Sequence, residues 1–266
     1  MENSEIIKKR IKIIAGYLVV FVVIVFISYL LFSPAATCSD KIQNQGEKGI
    51  DCGGPCSPCK DVAQIEDLII DEVAFAYGGN DVYDVVAKIY NPNESMGAKS
   101  FRYIFTLKDK SGLTIKTQEG YSFILPSDTR YLAVLNLKTE NDEIPKDVSV
   151  EISDTQWEKL SKIGKPQIGV YSKKFGAAPT PNSSQVEGLI RNESGYDFKK
   201  IDATIVIRDE NGNIIGINTT QRDSVRAKEE QKFSVSWPYL LQGNIQNIEV
   251  DPQINVFDSE NFSVSR

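Results

Sequence analysis

"VEGLIRNESGYDFKKIDATIVIRDENGNIIG", residues 186–216, is the stretch whose reading decides the fold. In its first limb Val186, Gly188 and Ile190 alternate with polar or outward residues as far as Asn192. In its second limb Ile201, Ala203, Ile205 and Ile207 alternate in the same way. A period of two marks a half-buried strand, because successive side chains point to opposite faces of a sheet. "DENG", residues 209–212, then interrupts the run with turn-forming residues before apolar residues resume. Two alternating runs around such a turn are a hairpin signal.

About 100 residues earlier the chain says nearly the same thing. "DVVAKIYNPN" (84–93) sets against "QVEGLIRNES" (185–194), with Val85, Ala87, Ile89 and Asn91 facing Val186, Gly188, Ile190 and Asn192. Phe101, Tyr103, Phe105 and Leu107 match Ile201, Ala203, Ile205 and Ile207, and "DKSG" (109–112) matches "DENG". Further on, Tyr131, Ala133 and Leu135 match Phe233, Val235 and Trp237. Val148 and Val150 match Ile248 and Val250, and Trp157 falls opposite Phe257. Each unit offers six or seven strands in roughly 95 residues, the size and rhythm of an antiparallel β-sandwich. The matched residues are expected to form the inner faces. The fold class expected is therefore all-β: two tandem antiparallel sandwiches of fibronectin or immunoglobulin type, over residues 66–160 and 166–264. "SKIGKP" (161–166) reads as their boundary, and "DVAQIEDL" (61–68) as a link to what precedes them. "GAAPTPNSS" (176–184) reads as an enlarged loop where the first unit has "GGND".

The pattern V-x-G-x-I-x-N-x-S, followed by F-x-x-I-x-A-x-I-x-I-x-D-x-x-G-x-I-I-G, resembles FxLYD-like domains. It is also similar to the sandwich of type-2 late-embryogenesis-abundant proteins. The second repeat fits better than the first. The resemblance implies a fibronectin-like sandwich on a microbial membrane protein, and it brings no catalytic residue with it. Fold alone does not give function.

Residues 13–32, "IIAGYLVVFVVIVFISYLLF", carry no charge and one serine. As a helix they span about 30 Å, the thickness of a hydrocarbon core. Tyr17 and Tyr29 lie toward the two ends, where interfacial aromatics concentrate. The stretch is longer than the ~7–15 apolar residues of a signal peptide. "PAAT" (34–37) is a poor cleavage site and a poor lipobox, so an uncleaved anchor is expected. Lys8, Lys9, Arg10 and Lys12 precede it. The positive-inside rule keeps residues 1–12 in the cytoplasm and places the rest outside the cell membrane.

All four cysteines lie just after the anchor, as Cys38-x13-Cys52-x3-Cys56-x2-Cys59. In an oxidising compartment this reads as two disulfides in a module over residues 37–60, with the pairing left open among three connectivities. A four-cysteine zinc site is the rival, but only Cys56 and Cys59 have the short spacing of a zinc knuckle. The stretch resembles a cysteine module of microbial surface proteins close to "CxDGxxNxxExxxDCGGxCxxC". It matches at Cys38, Asp40, Asn44, Glu47, Asp51, Cys52, Gly53, Gly54, Cys56 and Cys59, and departs at Lys41. The resemblance implies extracellular placement and disulfides. Asp40, Asn44, Glu47 and Asp51 are oxygen ligands that a calcium ion could use; the alternative is that they simply form turns. No other cofactor is expected.

The chain has no histidine, which excludes classical triads, histidine-containing zinc sites and haem held by histidine. Beyond residue 12 there are 26 basic and 34 acidic residues, a net charge of −8, which disfavours nucleic acid and anionic lipid as partners. Five Asn-x-Ser/Thr triplets, at Asn93, Asn182, Asn192, Asn218 and Asn261, are candidate glycosylation sites. The expectation is a single-pass membrane protein, not an enzyme, that binds another envelope protein or a surface polymer through strand edges or loops, with no small-molecule substrate. It would serve as a structural module or as an accessory subunit of a surface assembly. A sensor ectodomain signalling through a membrane partner is the first alternative, and a carbohydrate-active enzyme built on carboxylates the second.

Overall fold

The computed structural model describes residues 2–32, 38–59, 65–139, 143–160 and 164–264. The ends of the expected cysteine module (37 and 60), the first half of the expected link before the first sandwich (61–64) and the first half of the expected inter-repeat boundary (161–163) lie outside the described residues. The chain divides into two compact units, Met1–Gln64 and Ile65–Arg266.

The first unit holds one helix, α1 (Glu2–Phe32), of 31 residues. Its segment Arg10–Ser28 is long and apolar enough to cross a membrane, and its described residues are exposed. The helix runs beyond residues 13–32 because nothing in the charged turns before them, such as Pro or Gly, stops it. The cystine module lies in the same unit and has almost no regular structure: an isolated bridge between Gly49 and Cys52 is its nearest approach to a strand.

The second unit is all-β and contains β1 (Ile69–Gly79), β2 (Val82–Tyr90), β3 (Met96–Lys108), β4 (Thr114–Ile124), β5 (Thr129–Lys138), β6 (Asp147–Lys159), β7 (Ile168–Ala177), β8 (Ser184–Asn192), β9 (Tyr196–Asp209), β10 (Ile214–Val225), β11 (Glu230–Trp237), β12 (Ile245–Gln253) and β13 (Phe262–Val264). Every pairing is antiparallel. Sheets β1-β2-β5 and β4-β3-β6 make the first sandwich, and β7-β8-β11 and β10-β9-β12 the second, with β13 adding to the far end of β9. The order is the same in both, so the repeat seen in the sequence is a repeat of topology.

Local chemistry repeats with it. Asn91 and Asn192 close β2 and β8 and are fully buried. Asn91 Nδ2 donates to the carbonyls of Met96 and Leu125, and Asn192 Nδ2 donates to those of Tyr196 and Arg226. Each amide thus ties two loops together and satisfies carbonyls that would otherwise be buried unpaired. Asp109 and Asp209 do the same for the hairpins. Asp109 Oδ1 accepts from the N–H groups of Ser111 and Leu113, and Asp209 Oδ1 from those of Asn211 and Asn213. These are Asx turns. The first sandwich also opens with a two-residue hairpin in which Asn80 and Asp81 both have positive φ, 50° and 60°, the geometry of a type I′ turn.

Each sandwich has its own core. Val85, Ala87, Ile89, Phe101, Phe105, Leu107 and Leu132 fill the first. Val186, Ile190, Ile201, Ile205, Ile207, Phe233 and Trp237 fill the second. Two expectations require correction. Tyr131, Ala133 and Leu135 do not face the first core; Leu132, Val134 and Leu137 do. The pairing shows the slip, since Val85 faces Val134 as Val186 faces Val235. β5 is apolar on both faces, so its alternation carries no phase. Likewise Trp157 pairs with Ala98 on β3, and the residue in that place on β9, Phe198, pairs with Phe262 rather than Phe257.

The misassigned residues have a job. Ala76, Val86 and Tyr131 from the outer face of β1-β2-β5 are buried against Val206 and Ile217 from the outer face of β10-β9-β12. The two sandwiches therefore stack face to face in four layers, and the second unit is one body.

Candidate functional site

The seam between the sandwiches gathers the chemistry of the second unit. Its middle is the dry patch just described. Along one side runs a charged strip in which Arg208, on β9, bridges to Glu72 on β1 through Nη1–Oε1 (2.9 Å) and Nη2–Oε2 (2.6 Å). Arg208 Nε also donates to Glu249 Oε1 on β12, and Tyr131 Oη donates to the other oxygen of that carboxylate, both at 2.5 Å. A two-pronged guanidinium–carboxylate contact fixes orientation as well as distance. Burial opposes ionisation of Glu249, but the hydrogen bonds from Tyr131 and Arg208 prevail and hold its carboxyl below its ordinary value. The same burial and the Glu249 contact push the Tyr131 phenol well up. The strip fixes how one sandwich sits on the other.

At one end the seam opens into an apolar mouth of about 680 Å³. Phe75, Ala76 and Tyr77 come from β1, Ile214 from β10, and Tyr239 and Leu241 from the β11–β12 connection. Residues of both sandwiches line it, so it exists only in the stacked arrangement. Gly79 is needed here, since it holds a φ of +84° and a Cβ on it would stand 3.0 Å from the Tyr239 ring. Behind the mouth Asp84 is buried and accepts the N–H of Asn136 at 2.8 Å. That N–H is left over by the irregular register between β2 and β5. Burial raises the Asp84 carboxyl. It also raises the Tyr239 phenol, helped by the charge of Asp84, and the Tyr239 hydroxyl has no hydrogen-bond partner among the described residues. Tyr77 and Leu240 at the rim are about half exposed, at 52% and 50%. A mouth of this size, apolar with a few polar groups, suits a side-chain cluster or a small ligand.

The β7 edge is less inviting. β7 is an outer strand, but its register breaks between Tyr171 and Lys174, where Ser172 has a φ of 52°. Lys173 and Lys174 sit on the break. A bulge with lysines is a device that prevents pairing with another chain.

The cystine module resolves the pairing left open by the spacing. Cys38 joins Cys56 and Cys52 joins Cys59, so the zinc alternative has no thiolates to use. Three of the four candidate calcium ligands accept hydrogen bonds within the module. Asp51 accepts from Lys41 N–H, and Asp40 from Ile42 N–H and Asn44 Nδ2. Glu47 is buried and accepts from the N–H of Asp51 at 3.2 Å. Asp40, Glu47 and Asp51 thus hold turns, while Asn44 Oδ1 is buried with no hydrogen-bond partner among the described residues. The Cys-Gly-Gly glycines are steric necessities. A Cβ on Gly54 would meet the carbonyl oxygen of Gly46 at 2.3 Å, with φ at +59°.

Of the five sequons, Asn182 lies exposed on the β7–β8 loop, beside the apolar mouth. Asn93 and Asn218 are half-buried. Asn192 and Asn261 are buried, and their Nδ2 groups donate to internal carbonyls. A glycan on either is incompatible with this fold, which corrects the expectation for those two.

No protein-family profile and no curated protein matches this chain. Among solved structures, a transglutaminase from red sea bream is aligned over 71% of this chain and 29% of that chain, at 10% identity and a TM-score of 0.23. This chain thus spans under a third of that protein's length. A likeness that slight carries nothing about fold or activity.

Sequence reasoning found the cores and the cysteines and missed Tyr131, Arg208, Glu72, Glu249 and the apolar mouth. One signal was available: Ile205-Val206-Ile207 is an unbroken apolar run, the mark of a strand covered on both faces.

Proposed function

We propose that this protein is a single-pass, membrane-anchored binding module of the cell envelope. In this reading α1 crosses the membrane with Lys8, Lys9, Arg10 and Lys12 on the cytoplasmic side. The cystine module and both sandwiches lie outside, where disulfides persist. The stacked sandwiches act as one rigid body that presents the apolar mouth to another envelope protein or surface polymer. No catalytic step belongs to the proposal. The mouth is the observation that carries it, because two sandwiches contribute to a surface that neither has alone and leave Tyr77 and Leu240 exposed at its rim. Exposed apolar surface rimmed by polar residues marks interaction sites.

The test is photo-cross-linking in intact cells from positions 77 and 240, with position 111 on the Asp109 hairpin as control. The reading expects adducts with one or two membrane or surface components, from 77 and 240 and not from 111. Adducts equally frequent from all three positions would remove the mouth as the binding surface.

A further inference from the structure

The outer face of β7-β8-β11, on the side of the second sandwich away from the seam, carries a groove of about 480 Å³. Four strands line it: β7 with Ser172 and Lys174, β8 with Glu187, β11 with Lys232 and Ser234, and β10 with Arg222. The local sequence builds it in two places. On β7, Tyr171 pairs with Leu189 and Lys174 with Glu187, so Ser172 and Lys173 together oppose the single residue Gly188. A bulge of this kind bends the strand and re-aims its side chains. Lys173 reaches the carbonyl of Ile248 on β12, while Lys174 lines the groove. On β10, Arg222 reaches across to the outer strand β11. Its Nε donates to the carbonyl of Lys232 at 2.8 Å and its Nη1 to that of Gln221. These bonds fix the guanidinium, and Nη2 is neither bonded among the described residues nor sealed from solvent.

The charge of the groove runs against that of the molecule. Three cations meet one carboxylate, Glu187, which already accepts from Gln185 Nε2. Lys174, Lys232 and Arg222 enter no ion pair among the described residues. Both lysines are exposed, so their ammonium groups can be reached from outside. Ser172 and Ser234 are exposed as well, and their hydroxyls have no partner among the described residues. Beyond residue 12 the chain carries a net charge of −8, which repels polyanions from a distance. At physiological salt that repulsion is screened beyond about 8 Å. Close to the groove its own cations therefore prevail.

We infer that this groove binds a linear acidic polysaccharide, with anionic groups against Lys174, Lys232 and Arg222 and sugar hydroxyls against Ser172, Ser234 and Glu187. Charge complementarity selects the anion, and the clamped Arg222 offers it a donor already held in place. A protein strand is a poorer occupant, because the bulge breaks the β7 edge and Arg222 takes up a carbonyl of β11. The apolar face of a helix would find little to cover, since Leu189 is the one outward apolar side chain among the described lining residues. The groove is separate from the apolar mouth and goes beyond the proposed function. It shares with that reading only the placement of the sandwiches outside the cell.

The test uses the full-length protein in detergent, with biolayer interferometry on immobilised polygalacturonate, dextran sulfate, neutral dextran and polyglutamate at low and high salt. The groove predicts binding of at least one of the two acidic polysaccharides, lost at high salt, and none of neutral dextran. The two acidic chains separate a carboxylate ligand from an ester of the sulfate or phosphate kind. The double variant Lys174→Gln, Lys232→Gln should weaken that binding at least about tenfold, with an unchanged melting temperature because both positions are exposed. The control Lys110→Gln, Lys146→Gln removes the same charge from exposed positions of the first sandwich, and should leave binding within about twofold of wild type. Three results would each overturn the inference. One is no binding of either acidic polysaccharide to wild type. Another is equal weakening by the two double variants, which would make the effect one of total charge. The third is polyglutamate binding as tightly as the polysaccharides, which would make the groove a site for acidic protein segments. Loss of cross-links from positions 77 and 240, by contrast, would bear on the apolar mouth and leave this groove untouched.

Discussion

Ile217 is the residue that separates two stacked sandwiches from two beads on a string. It is 1% exposed and packs into the seam with Ala76, Val86, Tyr131 and Val206. Truncating a buried isoleucine to alanine costs about 2–5 kcal/mol, depending on how far the surroundings close on the gap. The seam joins two bodies that already have cores of their own, so partial closure is available and the cost should fall near 2–3 kcal/mol. For a unit of this size 1 kcal/mol moves the melting temperature by roughly 2–4 °C, so Ile217→Ala should lower it by about 4–12 °C. The chain has two tryptophans, Trp157 packed against the first core and Trp237 buried in the second. Thermal unfolding of full-length protein in detergent, followed by fluorescence in Trp157→Phe and Trp237→Phe backgrounds, reads each sandwich separately. Stacking predicts that both signals move together. A surface substitution changes stability by no more than about 0.5 kcal/mol. A null effect, or a shift confined to Trp237, would refute the stacked arrangement.

Other outcomes follow from the same geometry. Asn192→Ala leaves the carbonyls of Tyr196 and Arg226 and the N–H of Ser194 without their partner. It should destabilise by about 2–4 kcal/mol in urea titrations. Glu249 has a folded pKa below its unfolded value of about 4.3. The stability it contributes is therefore full above that pH and lost as pH falls through the folded value. Glu249→Gln should accordingly lie further below wild type at pH 7 than at pH 3 in thermal scans. In a host that glycosylates sequons, peptide mass spectrometry should find sugar on Asn182 and none on Asn192 or Asn261. Gly54→Ala should hinder oxidation of the cystine module, seen as free thiols in the purified protein.

The sequence was most legible where one face is wet. On β8 and β11 the alternation names the buried residues correctly: Val186, Ile190, Phe233 and Val235. It was least legible where both faces are covered. β5 reads "YLAVLNL", and either phase fits such a run, so its inner and outer residues were exchanged. The charged strip was hidden for a different reason. Arg208 and Glu72 are 136 residues apart, and Tyr131 and Glu249 are 118 apart. No local pattern marks an arginine as buried when its cover comes from another sandwich. The cysteine pairing lay beyond spacing because all three connectivities close short loops.

The most direct test of the account is where the cystines lie. Intact cells would be treated with a membrane-impermeant maleimide, before and after a membrane-impermeant reductant, and the protein's mass measured. The account predicts no label on Cys38, Cys52, Cys56 or Cys59 before reduction and four labels after it. Labels without reductant, or labels that appear only once the cells are opened, would contradict an oxidised module held outside the membrane.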